Sequence, residues 1–593
     1  MKLKTREELD PRYQWDFSDI YKTDADWEAV MADCETRIAK LGALAEGVTA
    51  SPAALKKALD YIFETAEHVE RAYIYASLHK EADNGNPAYQ EMEARAVTLF
   101  VAFDTAIAFL RPALLSADAD MIEKFRTDES LAVYRFMIED TLRSKPHILD
   151  ESRESLLSRL ADAAGTPRNA YGMLESVDIS FPAMKDENGN EIEITHALFG
   201  VMRESRDRRV REESFTKYFG EFKKYINTFA AMYAGSVKFD CFFAATRNYK
   251  SACEYFLDGG NVPVSVYDEL VNAVRGGLPT MRRYLELRRR VLGLDELHMY
   301  DLYCPMIDNV DFSFTFEESR TIIKEALAPL GQRYAELLDE AYDNRWMDVY
   351  ESKGKTTGAF SCGVYGCHPY VLLNYTNSLD DVYTVAHELG HAMHSYFSNE
   401  AQAYVNHDYR IMVAEVASTV NEVLLTRYLL KKETDPARRA YILNHFLEGF
   451  RTTIFRQTLF AEFERKAHEM YEAGAPLTAK SLSDVYRGLN ETYYEGVTVD
   501  ALQDIEWARI PHFYNAFYVY QYATGFSSAV TIADHICKTG DAERYLKFLT
   551  LGGSDSPLNE LRVAGVDLTK PDAVANALRV FDETVTELEE LLK

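Results

Sequence analysis

Residues 385–394 read Val385-Ala386-His387-Glu388-Leu389-Gly390-His391-Ala392-Met393-His394. Two histidines four apart stand on one face of a helix, one turn from each other. At that separation both imidazoles can reach a single Zn²⁺ at about 2.0–2.1 Å. Glu388 lies about 100° round the helix from His387, beside such an ion instead of on it, where it can hold a water and accept its proton. Asp380-Asp381 suit the start of the helix, and Val385, Ala386 and Leu389 give it a buried side. The stretch therefore predicts a helix that carries two metal ligands and a base.

A catalytic zinc needs a third protein ligand and one open position. A metzincin continuation would place Gly at 394 and His at 397, where this chain has His394 and Phe397, so that branch is excluded. The third ligand is expected to be a carboxylate further on. Glu400, nine residues after His391, would face the opposite way on a continued helix. Glu415 and Glu422 are seven apart on the next helical pattern and share a face; position alone does not separate them.

The chain around this motif is 593 residues long, 47% hydrophobic and 27% charged. It is too long for one core, so two or more lobes are expected. The net charge of −29 argues against a nucleic-acid partner, because phosphate binding needs a basic face. The one basic run, Arg288-Arg289-Arg290, sits in a helical pattern ending near Gly293 and reads as solvated charge at a helix C-terminus. Val97 to Leu115 is the most apolar stretch; broken by Asp104, Arg111 and Pro112, it reads as a buried helix and not as a membrane span. The first residues run directly into polar sequence, which gives no secretory signal and predicts a cytoplasmic location. Seven scattered cysteines imply no disulfide framework. Cys362 and Cys367 form the only close pair, and they read as a free-thiol loop.

Apolar residues recur at three- and four-residue spacing through most of the chain, as in Leu55/Ala58/Leu59/Ile62 and Val413/Val416/Ala417/Val420, so the fold class is mainly α. Two places break that period. Val177–Phe181 and Glu191–Ile194 alternate on either side of Asn188-Gly189, a hairpin signal and an expected seam between an N-terminal helical lobe, 1–195, and a catalytic domain, 196–593. The second break, Lys353 to Tyr375, holds Gly354, Gly358, Gly363 and Gly366 before the apolar run Tyr370–Tyr375. It reads as a small β element just upstream of the two-histidine helix. An edge strand near Gly358–Tyr365 would align an extended peptide through backbone hydrogen bonds.

Near the C-terminus, residues 512–522 hold His512 and the tyrosines Tyr514, Tyr518, Tyr520 and Tyr522. Pro511 suits the first turn of a helix, on which Tyr514 and Tyr518 would share a face. Phe513, Phe517 and Tyr520 read as core. His512, Tyr514 and Tyr518 carry polar tips that need partners if buried.

These stretches together resemble the oligoendopeptidase F branch of the thimet oligopeptidase family. The resemblance is carried by His387–His394 followed by Val413–Glu422, by Trp15–Tyr21, by His298-Met299-Tyr300-Asp301-Leu302-Tyr303-Cys304-Pro305, and by His512–Tyr522, and it spans most of the chain. It implies Glu415 as the third ligand, with Glu422 orienting a ligand imidazole and His394 outside the ligand set. It implies one Zn²⁺ per chain and His512 and Tyr518 as donors to the transition-state oxyanion, with Tyr514 as an alternate that contacts substrate beside the edge between Gly358 and Tyr365. A two-lobed helical shell around a deep channel, admitting short unstructured peptides, is also what it implies. The expected activity is zinc-dependent hydrolysis of internal peptide bonds. The alternatives are a dipeptidyl carboxypeptidase of the same family, and a non-catalytic peptide-binding protein, which would lack Glu388 or a ligand.

Overall fold

A computed structural model describes residues 3–307, 310 and 312–593. Helices dominate, and the strands form one two-stranded and one three-stranded sheet. The chain divides into two compact units, each assembled from separated segments: 1–146, 312–429 and 532–566 in the first, and 147–311, 430–531 and 567–593 in the second. The change at 146/147 recurs further along, so neither unit coincides with 1–195 or 196–593.

The first unit packs three N-terminal helices, Asp24–Leu41, Pro52–Ala82 and Pro87–Ile107, against the three-stranded sheet. In that sheet Tyr370–Leu372 is central, parallel to Met347–Asp348 and antiparallel to the edge strand Phe360–Cys362. The Trp15 indole fastens the N-terminal segment to it, donating to the Trp346 and Val371 carbonyls at 3.1 and 2.9 Å. Beneath it the fully buried Lys355 pairs with Asp348 at 2.8 Å, and Asp348 also receives Arg6 at 2.6 Å. A buried carboxylate shared by two cations is the arrangement that tolerates desolvation.

The apolar stretch 97–115 departs from the buried helix expected of it. It divides into Pro87–Ile107 and Leu110–Ser116, and only 17% of its most apolar window is buried. Ala96, Leu99 and Phe103 face the core, while Val97, Phe100 and Val101 face outward. Apolar content overstated burial because these residues surround the helix instead of lining one side. Among the described residues, Pro87–Ser116 is the one helical stretch long and apolar enough, at mean hydropathy 1.6, to cross a bilayer.

In the second unit the expected hairpin pairs Ala183–Lys185 with Glu191–Glu193 around Gly189, which takes φ +82°. Its first strand starts later than the alternation suggested, because Leu174–Asp178 coils into a π-helical turn. The basic run also differs from expectation. Arg289 and Arg290 lie at the surface side of the Leu278–Val291 helix, but Arg288 is 1% exposed and bonds the Glu448 carboxylate at 2.5 Å. A partner 160 residues away decides its burial.

Candidate metal centre

The helix Leu379–Ala401 begins at a capping box: Asp381 receives the Ser378 N–H at 2.8 Å while Ser378 Oγ receives the Asp381 N–H at 3.1 Å. It crosses the helix Ile411–Lys432 at Gly390. A Cβ built on Gly390 would stand 2.5 Å from the Ser418 Cα and 2.7 Å from the Ala417 carbonyl. Glycine between the two histidines is thus what lets the second helix come close enough to deliver its glutamate. The register is held from both sides, by Asn421 Nδ2 donating to the Ala386 carbonyl at 2.9 Å and by Tyr334 donating to Asn421 Oδ1 at 3.0 Å.

That crossing brings His387, His391 and Glu415 together. The two Nε2 atoms are 3.2 Å apart, and Glu415 Oε2 lies 3.4 Å from the first and 3.6 Å from the second. Ligand atoms at 2.0–2.1 Å from a tetrahedral ion are themselves separated by about 3.3–3.4 Å, so the donor triangle matches zinc in size as well as in type. Glu422 lies outside the triangle, with Oε1 2.5 Å from His387 Nδ1. Burial opposes charge on His387, yet the Glu415 and Glu422 carboxylates push its pKa up to about 10. The same two imidazoles hold the Glu415 carboxyl far below the usual range. Carboxylates that draw positive charge onto His387 in this way mark a pocket that a bound cation would satisfy.

Glu388 is 7% exposed. Burial raises its pKa, against the pull of His387 and His391. The neighbouring histidine His394 is turned into the core, stacked on Tyr409 at 3.7 Å. Glu400 is engaged elsewhere, with Arg333.

Upstream, the edge strand Phe360–Cys362 packs along the metal helix, and a Cβ on Gly363 would stand 2.8 Å from the Ser395 Cβ. Gly358, at φ +84°, borders a cavity of about 220 Å³ with Asn374, Asp381 and Thr384. Its carbonyl accepts from Asn374 Nδ2 at 2.8 Å. The Tyr365 hydroxyl donates to the Gln402 carbonyl at 3.0 Å. Cys362 and Cys367 are free thiols.

The aromatic segment near the C-terminus belongs to the second unit, and it is not one helix. A 3₁₀ turn, Pro511–Tyr514, gives way to a loop before the helix Tyr520–Thr539. Phe517 breaks the helical path with φ +55°, its N–H held by Glu464 Oε1 at 2.8 Å. Tyr514 and Tyr518 consequently do not share a helix face. Tyr514 packs against Tyr171 with the rings tilted and their centroids 4.5 Å apart, and burial raises its pKa. Phe513, Phe517 and Tyr520 are core, as expected. His512 and Tyr518 lie with their rings nearly parallel at 6.4 Å, and Tyr522 stands edge-on to both, its hydroxyl 3.5 Å from His512 Nε2. Burial depresses the His512 pKa, which favours the neutral ring.

The family model for peptidase family M3 matches residues 201–580, and the one described as oligopeptidase F matches 114–181. The chain belongs to peptidase family M3. It is 41% identical to oligopeptidase PepF of Bacillus subtilis (strain 168), over 100% of this chain and 89% of that protein. With group B oligopeptidase PepB of Streptococcus agalactiae serotype III it shares 38% identity over 99% of this chain and 98% of the other. The solved oligoendopeptidase-F of Enterococcus faecium superposes with a TM-score of 0.74 at 35% identity, covering 96% and 99% of the two chains. This M3 chain is thereby a peptide-bond hydrolase of the metalloendopeptidase class, with the mainly helical fold that its periodicity announced.

Two residues of the M3 chain were not assigned from the sequence although they stand among the candidate site residues. Tyr522 was counted with its neighbours but given no part; only the loop around Phe517 brings it against His512. Glu464 carried no motif signal at all, since an isolated glutamate on a helical pattern reads as surface charge.

Proposed function

We propose that the chain is a zinc-dependent oligoendopeptidase of the cytoplasm that cuts internal bonds of short unstructured peptides, one Zn²⁺ per chain being held by His387, His391 and Glu415. The observation that carries this reading is the donor triangle with edges of 3.2, 3.4 and 3.6 Å beside a buried Glu388. When bound, zinc would polarise the scissile carbonyl and lower the pKa of a water towards about 7.

Glu388 takes the proton of the attacking water as its oxygen adds to the carbonyl carbon. The same carboxyl then hands that proton to the amide nitrogen as the C–N bond breaks. Glu422 accepts from His387 Nδ1 and so keeps Nε2 free as a ligand atom. His512 and Tyr518 donate to the oxyanion, a contribution of roughly 10²–10³ in rate. Extended peptide is aligned by the backbone of the Phe360–Cys362 edge, between Gly358 and Tyr365, with Tyr514 as a further contact.

Internally quenched peptides blocked at both ends test the reading. Cleavage that stops with a chelator, returns with zinc and is lost in Glu388→Gln supports it. If blocked peptides survive while free C-termini lose dipeptides, the chain is a dipeptidyl carboxypeptidase instead. Full activity in Glu388→Gln overturns the assigned base.

A further inference from the structure

The second unit holds a cluster of arginines that the metal centre does not use. Tyr303, from the stretch His298–Pro305, lies between two guanidiniums: Arg203 Cζ is 3.9 Å and Arg451 Cζ 4.6 Å from its ring centroid. Arg451 and Arg456 are five residues apart, which on an α-helix would point them about 140° away from each other. Arg451 lies within a π-helical turn, Phe450–Phe455, and Arg456 directly follows it; the i→i+5 register of that turn brings the two side chains back to one side, towards Tyr303. Such turns inside long helices often mark functional sites.

Charge within this cluster does not balance. Among the described residues, Arg203, Arg288, Arg451, Arg456 and Arg509 share two carboxylates. Glu448 is taken by Arg288 at 2.5 Å, by Arg451 at 2.6 Å and by the Tyr284 hydroxyl at 2.5 Å. Glu506 is taken by Arg456 at 2.6 Å, by Tyr486 at 2.6 Å and by Gln503 at 2.5 Å, leaving Arg509 at 3.8 Å. Nearby Asp301 is committed to Arg208 and Arg211.

Several buried donors are left over. Among the described residues, Arg203 Nε, Arg509 Nε and Arg451 Nη1 find no hydrogen-bond partner, although the Arg451 side chain is 1% exposed. Buried charge without a partner is costly, and native structures retain it where a ligand supplies the partner. The cluster is still reachable, since the Arg456 and Arg509 side chains keep 13% and 21% of their exposure.

We infer that Arg203, Arg451, Arg456 and Arg509, arranged around Tyr303, form a binding site for a peptide carboxylate. Planar guanidiniums with spare N–H groups match a carboxylate two bonds at a time. The ambient charge already acts on Tyr303. Burial raises its pKa, but Arg456, Arg203 and Arg451 outweigh that and bring it down to about 7. Burial likewise lowers the pKa of Arg203, the cation left with the fewest partners. A C-terminal carboxylate and an acidic side chain offer the same chemistry, and the inference rests on the proposed peptide substrate.

Three fluorescent hexapeptides separate these sources: one with a free C-terminal carboxylate, the same peptide amidated, and the amide with glutamate as its last residue. Their dissociation constants are measured by anisotropy on the full-length, zinc-loaded Glu388→Gln protein. The free acid should bind about tenfold or more tightly than the plain amide. If the glutamate amide matches the acid, the site takes any carboxylate; if it matches the plain amide, the site reads the terminus. Arg203→Met, which removes no hydrogen bond, should bring the acid-to-amide ratio close to 1 when combined with Arg509→Met, whereas Arg203→Lys should retain part of it. Equal affinity for all three peptides overturns the site, and so does a ratio that the double variant leaves intact. Failure of the wild type to cleave any peptide would count against the proposed activity alone, because binding is read separately.

Discussion

His387 Nδ1 lies 2.5 Å from Glu422 Oε1, thirty-five residues further along the chain. With Nδ1–H held there, the neutral imidazole presents its lone pair at Nε2, 3.4 Å from Glu415 Oε2. Outer partners of this kind set the tautomer and basicity of a ligand, and their loss costs about 10–100-fold in metal affinity. Glu422→Ala should weaken zinc binding by that factor, and Glu422→Gln by less, because an amide oxygen still accepts the N–H. Zinc-buffered titration with a chromophoric chelator reads both. Unchanged affinity in Glu422→Ala would remove the glutamate from the metal centre.

Gly390 is the second test of the same geometry. At an exposed helical position, Gly→Ala stabilises by up to about 1 kcal/mol. Here the added carbon would meet Ser418 Cα at 2.5 Å and the Ala417 carbonyl at 2.7 Å, backbone atoms with no rotamer to yield. Overpacking of this sort costs about 1–3 kcal/mol. Gly390→Ala should therefore lower the thermal midpoint and weaken zinc binding together, since Glu415 rides on the helix pushed away. A raised midpoint with normal zinc affinity contradicts the close crossing.

The aromatic segment offers a ranking. If His512 and Tyr518 serve the oxyanion, Tyr518→Phe and His512→Gln should each lower kcat by roughly 10²–10³ with little change in KM, the pattern of an interaction made only in the transition state. Tyr522→Phe should do less, because its hydroxyl is directed at His512, 3.5 Å away. Steady-state kinetics on one quenched peptide gives all three. A rise in KM without loss of kcat would move Tyr518 to ground-state binding.

What could be read from the sequence divides by the range of the interaction. The two-histidine spacing, the helix start near Asp380-Asp381 and the turn at Asn188-Gly189 are local, and each stands where its pattern put it, although the first hairpin strand begins later than expected. Glu415 and Glu422 could not be told apart by position, since seven residues place them on one face. The crossing at Gly390 separates them, and a crossing is a tertiary contact. Arg288 read as solvated charge because Glu448 lies 160 residues away. The helix expected through 511–522 failed for a similar reason: a glutamate fifty-three residues upstream captures the Phe517 N–H, and no propensity within the segment reports it.

That glutamate yields a pH dependence. Glu464 is 1% exposed and its Oε2 has no partner. Burial raises its pKa to about 8, against the opposing pull of His468 and the Phe517 N–H, with Asp240 adding to the rise. In the unfolded chain the group titrates near 4.5. Between these values the folded state binds the extra proton, so stability from this group is complete below about 4.5 and is lost progressively as pH rises towards about 8. The total is a few kcal/mol. Glu464→Gln keeps an oxygen for the Phe517 N–H but carries no proton to lose. Its thermal midpoint should fall less than that of the wild type between pH 5 and 8, with the variant ahead at the alkaline end. Glu464→Ala removes the acceptor as well, so it should be destabilised at both ends and should lower kcat by releasing the loop that ends at Tyr518. Parallel midpoint curves for wild type and Glu464→Gln would mean that the carboxyl is already ionised in the folded protein.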